Sequence, residues 1–264
     1  MNRTDTADLA ALAQLVERGD PDRFLALMAA PPAARAPLLP LYAFNLEVAR
    51  AAWASSEPMI AEMRLQFWQD TIEAIGAGTT PRGAEVIGPL AAVIRAHDLP
   101  LPLFAALIEA RRWDIYRAPF ADAAAFEAHL QATAGNLMWL AALALGAPGA
   151  AEPVVRDFAQ GAGLANWLMA VPALEARGRI PLVDGRPGAV AALARSGLGR
   201  IRAARARRAD LPRRAAPALL PGWQAGALLA QAARDPRRVA DGGLAQSEFA
   251  RRGSLLLRAT TGRW

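Results

Sequence analysis

Side chains that carry out covalent catalysis or bind transition metals are scarce in this sequence. It contains no cysteine, and its only histidines are His97 and His129, which argues against a cysteine nucleophile, thiolate metal sites and a multi-histidine metal centre. Ser247 and Ser254 have no histidine nearby in the sequence to indicate a catalytic triad. His97 precedes Asp98 at the end of a predicted helix, and His129 lies within another, so we interpret both histidines as structural.

The basic residues say more about function than the serines and histidines do. All 30 of them are arginine, and the net charge is +6. Residues 1–132 have a charge balance of −5, whereas residues 133–264 have a balance of +11. The dense basic run in the second half predicts either a solvated helix face or a contact surface for an anionic lipid or acidic protein. Nucleic acid is not expected, since no recognised binding motif accompanies the charge. The candidate contact residues are Arg200, Arg205, Arg207, Arg208, Arg213 and Arg214.

Helices are the elements that must position these side chains. Alanine and leucine dominate and alternating β-branched runs are missing, so the chain is predicted to be all-α, with one domain over residues 1–264. Gly161 and Gly163 lack the third glycine of a dinucleotide fingerprint and predict close helix packing instead. The pattern gives roughly ten helices. Besides the arginine-rich segment, they cover residues 5–18, 20–29, 37–53, 59–75, 86–97, 102–113, 122–145, 152–177, 217–234 and 244–260.

No segment of the sequence is predicted to cross a membrane. The longest apolar run, residues 137–146, is far shorter than the roughly 20 residues that a bilayer requires. The first residues include Asp5 and Asp8 and have no long apolar core, so neither a secretory signal nor an arginine-rich transit peptide is expected. We therefore predict a cytoplasmic protein that is able to contact a membrane surface.

A series of short motifs runs through the chain in a definite order. The motifs are LPLYAFNLEVAR at 39–50, SEPM at 56–59, MRLQFWQD at 63–70, TAGNLM at 133–138, GAGLANWLMAVP at 161–172 and RGRIPL at 177–182. From about Asp22 to Trp264, this ordered set resembles the squalene/phytoene synthase family. The resemblance implies an all-α, isoprenoid synthase-like helical bundle around a central cavity, with Tyr42, Asn45 and Asn166 as cavity neighbours.

Active members of that family carry aspartate-rich motifs on two facing helices. Prenyl diphosphates release pyrophosphate, and Mg²⁺ held by carboxylate oxygens neutralises the charge that develops on this leaving group. This sequence departs from the pattern, since residues 163–174 contain no acid at all. The positions that align with the two motifs are occupied by Ala49, Arg50, Trp53, Ala170, Ala173 and Leu174.

Other residues near these positions are weak substitutes for the missing aspartates. Arg50 is expected near the cavity mouth, where its guanidinium could bind a phosphate directly. Trp53 is predicted to fill the former metal region, opposite the small side chains of Ala170 and Ala173. The acids that remain as candidate ligands are Glu57, Glu62, Asp70, Glu73, Glu109, Asp114 and Glu175.

One branch of the family has degenerate aspartate motifs, and its eukaryotic members are assembly factors for mitochondrial respiratory complex I. The sequence is similar to that branch at residues 43–45 with Glu47 two positions on, at Ser56-Glu57 and at residues 63–68. The resemblance implies a non-catalytic assembly role without a cofactor, peripheral to the inner membrane and with a protein partner there. The lysine-free, arginine-rich composition suggests a bacterial setting.

Two alternatives remain open. The first is a divergent prenyl-diphosphate transferase of the squalene/phytoene synthase type, which would require Mg²⁺. The second is a carrier whose cavity binds an isoprenoid lipid without reaction.

Overall fold

A computed structural model describes residues 3–55, 57–81, 83 and 85–264, and in that part of the chain every regular element is helical. The all-α prediction is therefore confirmed. Ser56, which was included in the motif at 56–59, lies outside the described residues. The α-helices are α1 (Arg3–Gly19), α2 (Pro21–Ala29), α3 (Arg35–Ala51), α4 (Pro58–Gly76), α5 (Ile87–Ala96), α6 (Leu101–Ala110), α7 (Ala123–Leu130), α8 (Asn136–Ala144), α9 (Glu152–Ala176), α10 (Pro187–Ala206), α11 (Ala225–Arg234), α12 (Arg237–Ala240) and α13 (Glu248–Thr261).

Helix α3 separates the hydrophobic core from a central cavity. On its core side, the ring of Phe44 meets the rings of Trp68 and Phe104 edge to face, with both centroid separations at 5.4 Å. Edge-to-face aromatic pairs stabilise a fold by more than the burial of their apolar surface alone provides. On the side of α3 that faces away from the core, residues spaced four apart lie on one helix face. They form a stripe that lines the cavity. The stripe consists of Asn45, Ala49 and Trp53.

The helix predicted at residues 122–145 is interrupted in the structure. Its two ends are α7 and α8, and between them Gln131–Gly135 is a π-helical segment. Thr133 Oγ1 donates a hydrogen bond to the carbonyl oxygen of His129 at 2.7 Å, which gives the widened turn an additional bond. A π-segment inserts an extra residue and shifts the faces of the helix, and such segments occur frequently at functional sites. Here it borders the cavity.

The segment predicted as one helix at residues 217–234 forms two elements. Arg213–Gly222 is a 3₁₀ helix, and α11 starts only at Ala225. Pro217 and Pro221 lack the backbone N–H that an α-helix requires, so hydrophobic spacing alone misjudged this stretch.

Helices α9 and α10 pack closely at glycines, as predicted from Gly161. A Cβ atom at that position would lie 2.5 Å from Ile201 Cγ1 and 2.8 Å from the carbonyl oxygen of Gly197. On the other side of α9, a Cβ at Gly163 would lie 2.6 Å from Ala134 Cβ. Both glycines therefore set the distance between α9 and its neighbours, which fixes the wall of the cavity.

Within the described residues, no helix combines the length and apolar character that a bilayer crossing demands.

Candidate functional site

The helices enclose a cavity of about 570 Å³. This volume lies in the usual range for sites that hold small molecules. Its lining comes from the α1–α2 junction, α3, the 3₁₀ segment Arg111–Asp114, the α7–α8 region, α9 and residues 221–225. Most of the residues singled out in the sequence are brought together here. They are Asn45, Ala49, Trp53, Asn166, Ala170, Ala173 and Leu174.

Two of the singled-out residues lie elsewhere. Arg50 is exposed and is not among the residues that line the cavity, but its guanidinium lies beside Gly19, which does line it; the phosphate contact at the mouth stays a prediction. It follows Ala49 by one residue and is therefore turned about 100° away from the cavity stripe. Tyr42 borders a small adjoining space of about 30 Å³. Burial raises the pKa of Tyr42 to about 12, so its hydroxyl is neutral.

Trp53 lies at the cavity but does not fill it. Its ring is half-buried, and the guanidinium carbons of Arg177 and Arg179 lie 4.7 and 5.1 Å from the ring centroid. Gly178 places the two arginines there, because its φ of +74° ends α9 in a left-handed turn. The ring lines the cavity together with Ala170 and Ala173, and an open cavity remains beside it; that Trp53 fills the former metal region stays a prediction.

Three carboxylates line the cavity, and each is held by an arginine. Asp20 accepts a hydrogen bond from Arg23 Nε at 2.7 Å, while Asp22 forms an ion pair with Arg251 on α13 and also accepts from Gln224 Nε2 at 2.8 Å. Asp114, only 3% exposed, lies 3.3 Å from Arg111 Nη1. Arginine partners compensate the negative charge that would otherwise attract a cation.

The two buried carboxylates differ in their protonation behaviour. Burial alone would raise the pKa of Asp20, but the charge and hydrogen bonds of Arg23 outweigh it and lower that pKa below its ordinary value. At Asp114 burial dominates, and the pKa is raised despite Arg111. The charge of Asp114 is thus costly to bury, and the arginines around it offset only part of that cost.

The residues at the cavity do not fit a Mg²⁺ cluster. In the parts of the chain that the structure covers, no three acidic, histidine or cysteine side chains are grouped so that they could hold a metal ion. Of the acids considered as substitutes, Asp114 lines the cavity, whereas Glu62 and Glu109 form ion pairs with Arg112. A lone carboxylate already bound to an arginine does not provide the oxygen shell that Mg²⁺ requires.

An aromatic cluster forms one wall of the cavity. His129 packs against Trp167 with ring centroids 5.1 Å apart, and against Trp113 at 5.8 Å. Three buried nitrogen atoms in this region, Arg111 Nε, Trp113 Nε1 and His129 Nε2, have no hydrogen-bond partner among the described residues. A buried polar atom without a partner destabilises the fold, and such atoms are candidates for contact with a ligand.

Burial, together with the charge of Arg111, lowers the pKa of His129 to about 3. The unfolded chain binds a proton at this histidine below pH about 6.5, whereas the folded protein does not until the pH approaches 3. Stability is therefore lost as the pH falls through this window. Between pH 6.5 and 4.5 we expect the free energy of unfolding to fall by about 2.5 kcal/mol, measured by urea denaturation. In His129→Gln this loss should be absent; parallel pH profiles for the two proteins would contradict the assignment.

The structure also reveals site residues that the sequence analysis missed. Asp20 and Asp22 looked like the start of a helix, and Asp20 does cap α2, but both also line the cavity. Arg111 received no role at all, and His129 was assigned only a structural one. The signal in the sequence that could have identified the two aspartates was their position on either side of Pro21. The partner of Asp22 could not be identified in this way, because Arg251 is 229 positions away along the chain.

The basic run predicted as one contact surface is divided in the structure. Arg200 lies 3.2 Å from Glu127 and 3.4 Å from Asp157, and Arg207 lies 3.0 Å from Asp210. These two arginines are occupied by ion pairs within the protein. Acids from α7 and α9 partly neutralise Arg200, and an acid three residues on partly neutralises Arg207, while their role in a shared contact surface stays a prediction.

The other four arginines of the run also divide. Arg214 Nη2 donates to the carbonyl oxygen of Gly146 at 2.8 Å, and Arg205 Nε donates to that of Trp264, also at 2.8 Å. Both therefore have structural roles. Arg208 and Arg213 are exposed and line an open hollow of about 420 Å³.

The arrangement of helices is that of known isoprenoid synthases. The fold matches a dehydrosqualene synthase crystallised with a ligand, with a TM-score of 0.80 over 98% of this chain and 97% of that one, at 14% identity. It matches squalene synthase HpnC from Alicyclobacillus acidocaldarius with a TM-score of 0.73 over 89% of this chain and 96% of that one, at 17% identity. These likenesses concern the fold.

The sequence assigns the family. The pattern of the squalene/phytoene synthase family matches residues 16–183, and the chain belongs to this family. Among curated proteins, it is 25% identical over 168 residues to the bovine (Bos taurus) protein named NADH dehydrogenase (ubiquinone) complex I, assembly factor 6. That alignment covers 63% of this chain and 50% of the bovine protein. The chain spans about half the length of the curated relatives that it matches.

Proposed function

We propose that this protein is a non-catalytic member of the squalene/phytoene synthase family that acts in the assembly of a respiratory membrane complex related to complex I. Its partner would be a protein subunit of that complex. The similarity to a complex I assembly factor supports the choice of process. A location in the cytoplasm, peripheral to the inner membrane, belongs to the same proposal.

One observation carries the non-catalytic part of the proposal. Where the cavity walls of α3 and α9 face each other, the motif positions hold Ala49, Trp53, Ala170, Ala173 and Leu174. None of these side chains binds a cation. Release of pyrophosphate from a prenyl diphosphate requires charge neutralisation at the leaving group, and the three carboxylates that do line the cavity are paired with arginines.

A second candidate function is binding of an isoprenoid lipid in the cavity. The unpartnered nitrogens of Arg111 and His129 favour it, because both residues line the cavity next to aromatic rings. An apolar chain would lie against the aromatic wall, and an oxygen on its polar end would accept hydrogen bonds from these nitrogens. No chemical step is required in this function.

Deleting the gene in its host and measuring complex I tests the assembly role. We expect assembled complex I on native gels, and NADH oxidation by membranes, to fall several-fold and to be restored by the wild-type chain. Undiminished complex I in the deletion strain would overturn the proposal.

A cavity-filling variant, Ala170→Trp, separates the two candidate functions. If assembly needs only the protein surface, the folded variant restores complex I as well as the wild type does. If assembly needs a lipid in the cavity, the variant fails although it is folded. Ala173→Ser, which adds one oxygen atom to the same wall, serves as the matched control.

A further inference from the structure

The last long helix, α13, carries three exposed large apolar side chains, among them the most exposed one of the described residues. Phe249 is 88% exposed, and Leu256 and Leu257 are each 64% exposed. Positions separated by seven and eight residues share one face of a helix. The opposite face is anchored, since Leu255 is buried and Trp223 Nε1 donates to the carbonyl oxygen of Arg251 at 3.2 Å. The outer face of α13 is therefore held rigidly and projects apolar groups into solvent.

Positive charge surrounds this apolar face. Residues 249–264 contain four arginines and no acid. The side chain of Arg252 is 73% exposed, pairs with Glu248 at the start of α13, and borders the same surface as Phe249 and Leu256. Where α13 ends, Arg263 joins Arg208 and Arg213 around the open hollow, and no acid is among the described residues that line it.

A further arginine pair adds to the positive charge at this end. The pKa of Arg205 is lowered to about 10 by burial and by the neighbouring charge of Arg258. Arg205 Nη2 is buried, and in the described structure it has no hydrogen-bond partner. Acids pair with Arg251 and Arg252 on α13, through Asp22 and Glu248, whereas no acid lines the hollow bordered by Arg208, Arg213 and Arg263.

We propose that the outer face of α13, with the arginines at its end, docks the protein onto an anionic lipid bilayer. Phe249, Leu256 and Leu257 would enter the boundary between headgroups and acyl chains, and Arg252 and Arg263 would contact lipid phosphates. Helices that lie in the membrane interface combine these features: an apolar face, flanking arginines and attraction to anionic lipid. The inference rests on the proposed function in one respect only, which is that the protein acts at a membrane.

A lipid surface fits these features better than an acidic protein does. The apolar side chains project outward along one exposed helix face, and the arginines are distributed over α13 and the 3₁₀ segment beside it. A fluid layer of phosphates meets such a distribution without a fixed geometry. An acidic protein would have to match it with carboxylates at fixed positions.

Co-sedimentation of the purified full chain with vesicles tests the proposal. We expect binding to vesicles of equal parts phosphatidylcholine and phosphatidylglycerol to be at least about tenfold tighter than binding to pure phosphatidylcholine, and to weaken with added salt. The variant Phe249→Ser/Leu256→Ser should bind the anionic vesicles at least about tenfold more weakly.

The control is Met63→Ser on α4, which removes an apolar side chain of 68% exposure from a different helix. It should bind vesicles as the wild type does, and thermal melting should show that both variants are folded. Equal binding by wild type and the α13 variant, equal binding to neutral and anionic vesicles, or binding to soluble polyglutamate but to no vesicle would each overturn the proposal. The vesicle assay contains only protein and lipid, whereas the assembly role is tested by measuring complex I in the deletion strain. A failure of the lipid-docking proposal can therefore be told apart from a failure of the assembly role.

Discussion

Replacing Asp114 with alanine is expected to lower the free energy of unfolding by about 3 kcal/mol at pH 7. Asp114 is 3% exposed, and besides Arg111 the charges of Arg179 and Arg177 act on it. Without this carboxylate, the three guanidiniums repel one another in a partly buried region and Arg111 loses its ion-pair partner. Urea denaturation of the purified variant measures the change.

Two further variants show whether charge is the cause. Asp114→Asn keeps the volume of the side chain and should lose nearly as much stability as Asp114→Ala. The double variant Arg111→Ala/Asp114→Ala should lose less than the sum of the two single losses, because the groups are in direct contact. A loss below about 1 kcal/mol in Asp114→Ala would contradict the role given to this ion pair.

The second large effect is expected at the contact between α9 and α10. Gly161→Ala should lower the free energy of unfolding by about 2 kcal/mol, as is typical of overpacked sites. The new Cβ would lie 2.8 Å from the backbone oxygen of Gly197, and backbone cannot move aside as a flexible side chain can. The separation of the two helices would have to increase, which also shifts the wall of the cavity.

Gly199 on α10 provides the matched control, since no atom lies within 4 Å of a Cβ built there. Gly199→Ala should raise stability by about 0.5–1 kcal/mol, because alanine loses less backbone freedom on folding and favours the helix. Thermal and urea unfolding of the two variants report the difference. If Gly161→Ala is as stable as Gly199→Ala, close packing does not set the position of α9.

The helical fold could be predicted from the sequence because its signals are local. Pro58, Gly76 and Gly146 mark the ends of helices, and helical spacing of apolar residues identified α3 correctly within two residues. The π-segment at Gln131–Gly135 has no such local signature. It depends on contacts across the bundle, including the hydrogen bond from Asn136 Nδ2 to the carbonyl oxygen of Leu103.

The cavity could be predicted only in part. Ala49, Trp53 and Ala170, which the motifs singled out, line the cavity; Ala49 and Ala170 lie on single helices, where spacing is fixed, and Trp53 follows the end of α3. Arg111 and Asp22 were not identified, since their roles depend on partners and neighbours that folding brings together. Arg50 lies outside the cavity lining because a shift of one residue along a helix turns a side chain by about 100°.

Incubation of the purified protein with labelled farnesyl diphosphate and Mg²⁺ tests the central claim most directly. We expect no squalene, phytoene-type or dehydrosqualene product above the protein-free blank, and no stabilisation by the diphosphate that requires Mg²⁺. Formation of a condensed prenyl product in proportion to protein concentration, abolished by Asp114→Asn in a folded variant, would show that the cavity is catalytic and would contradict the account.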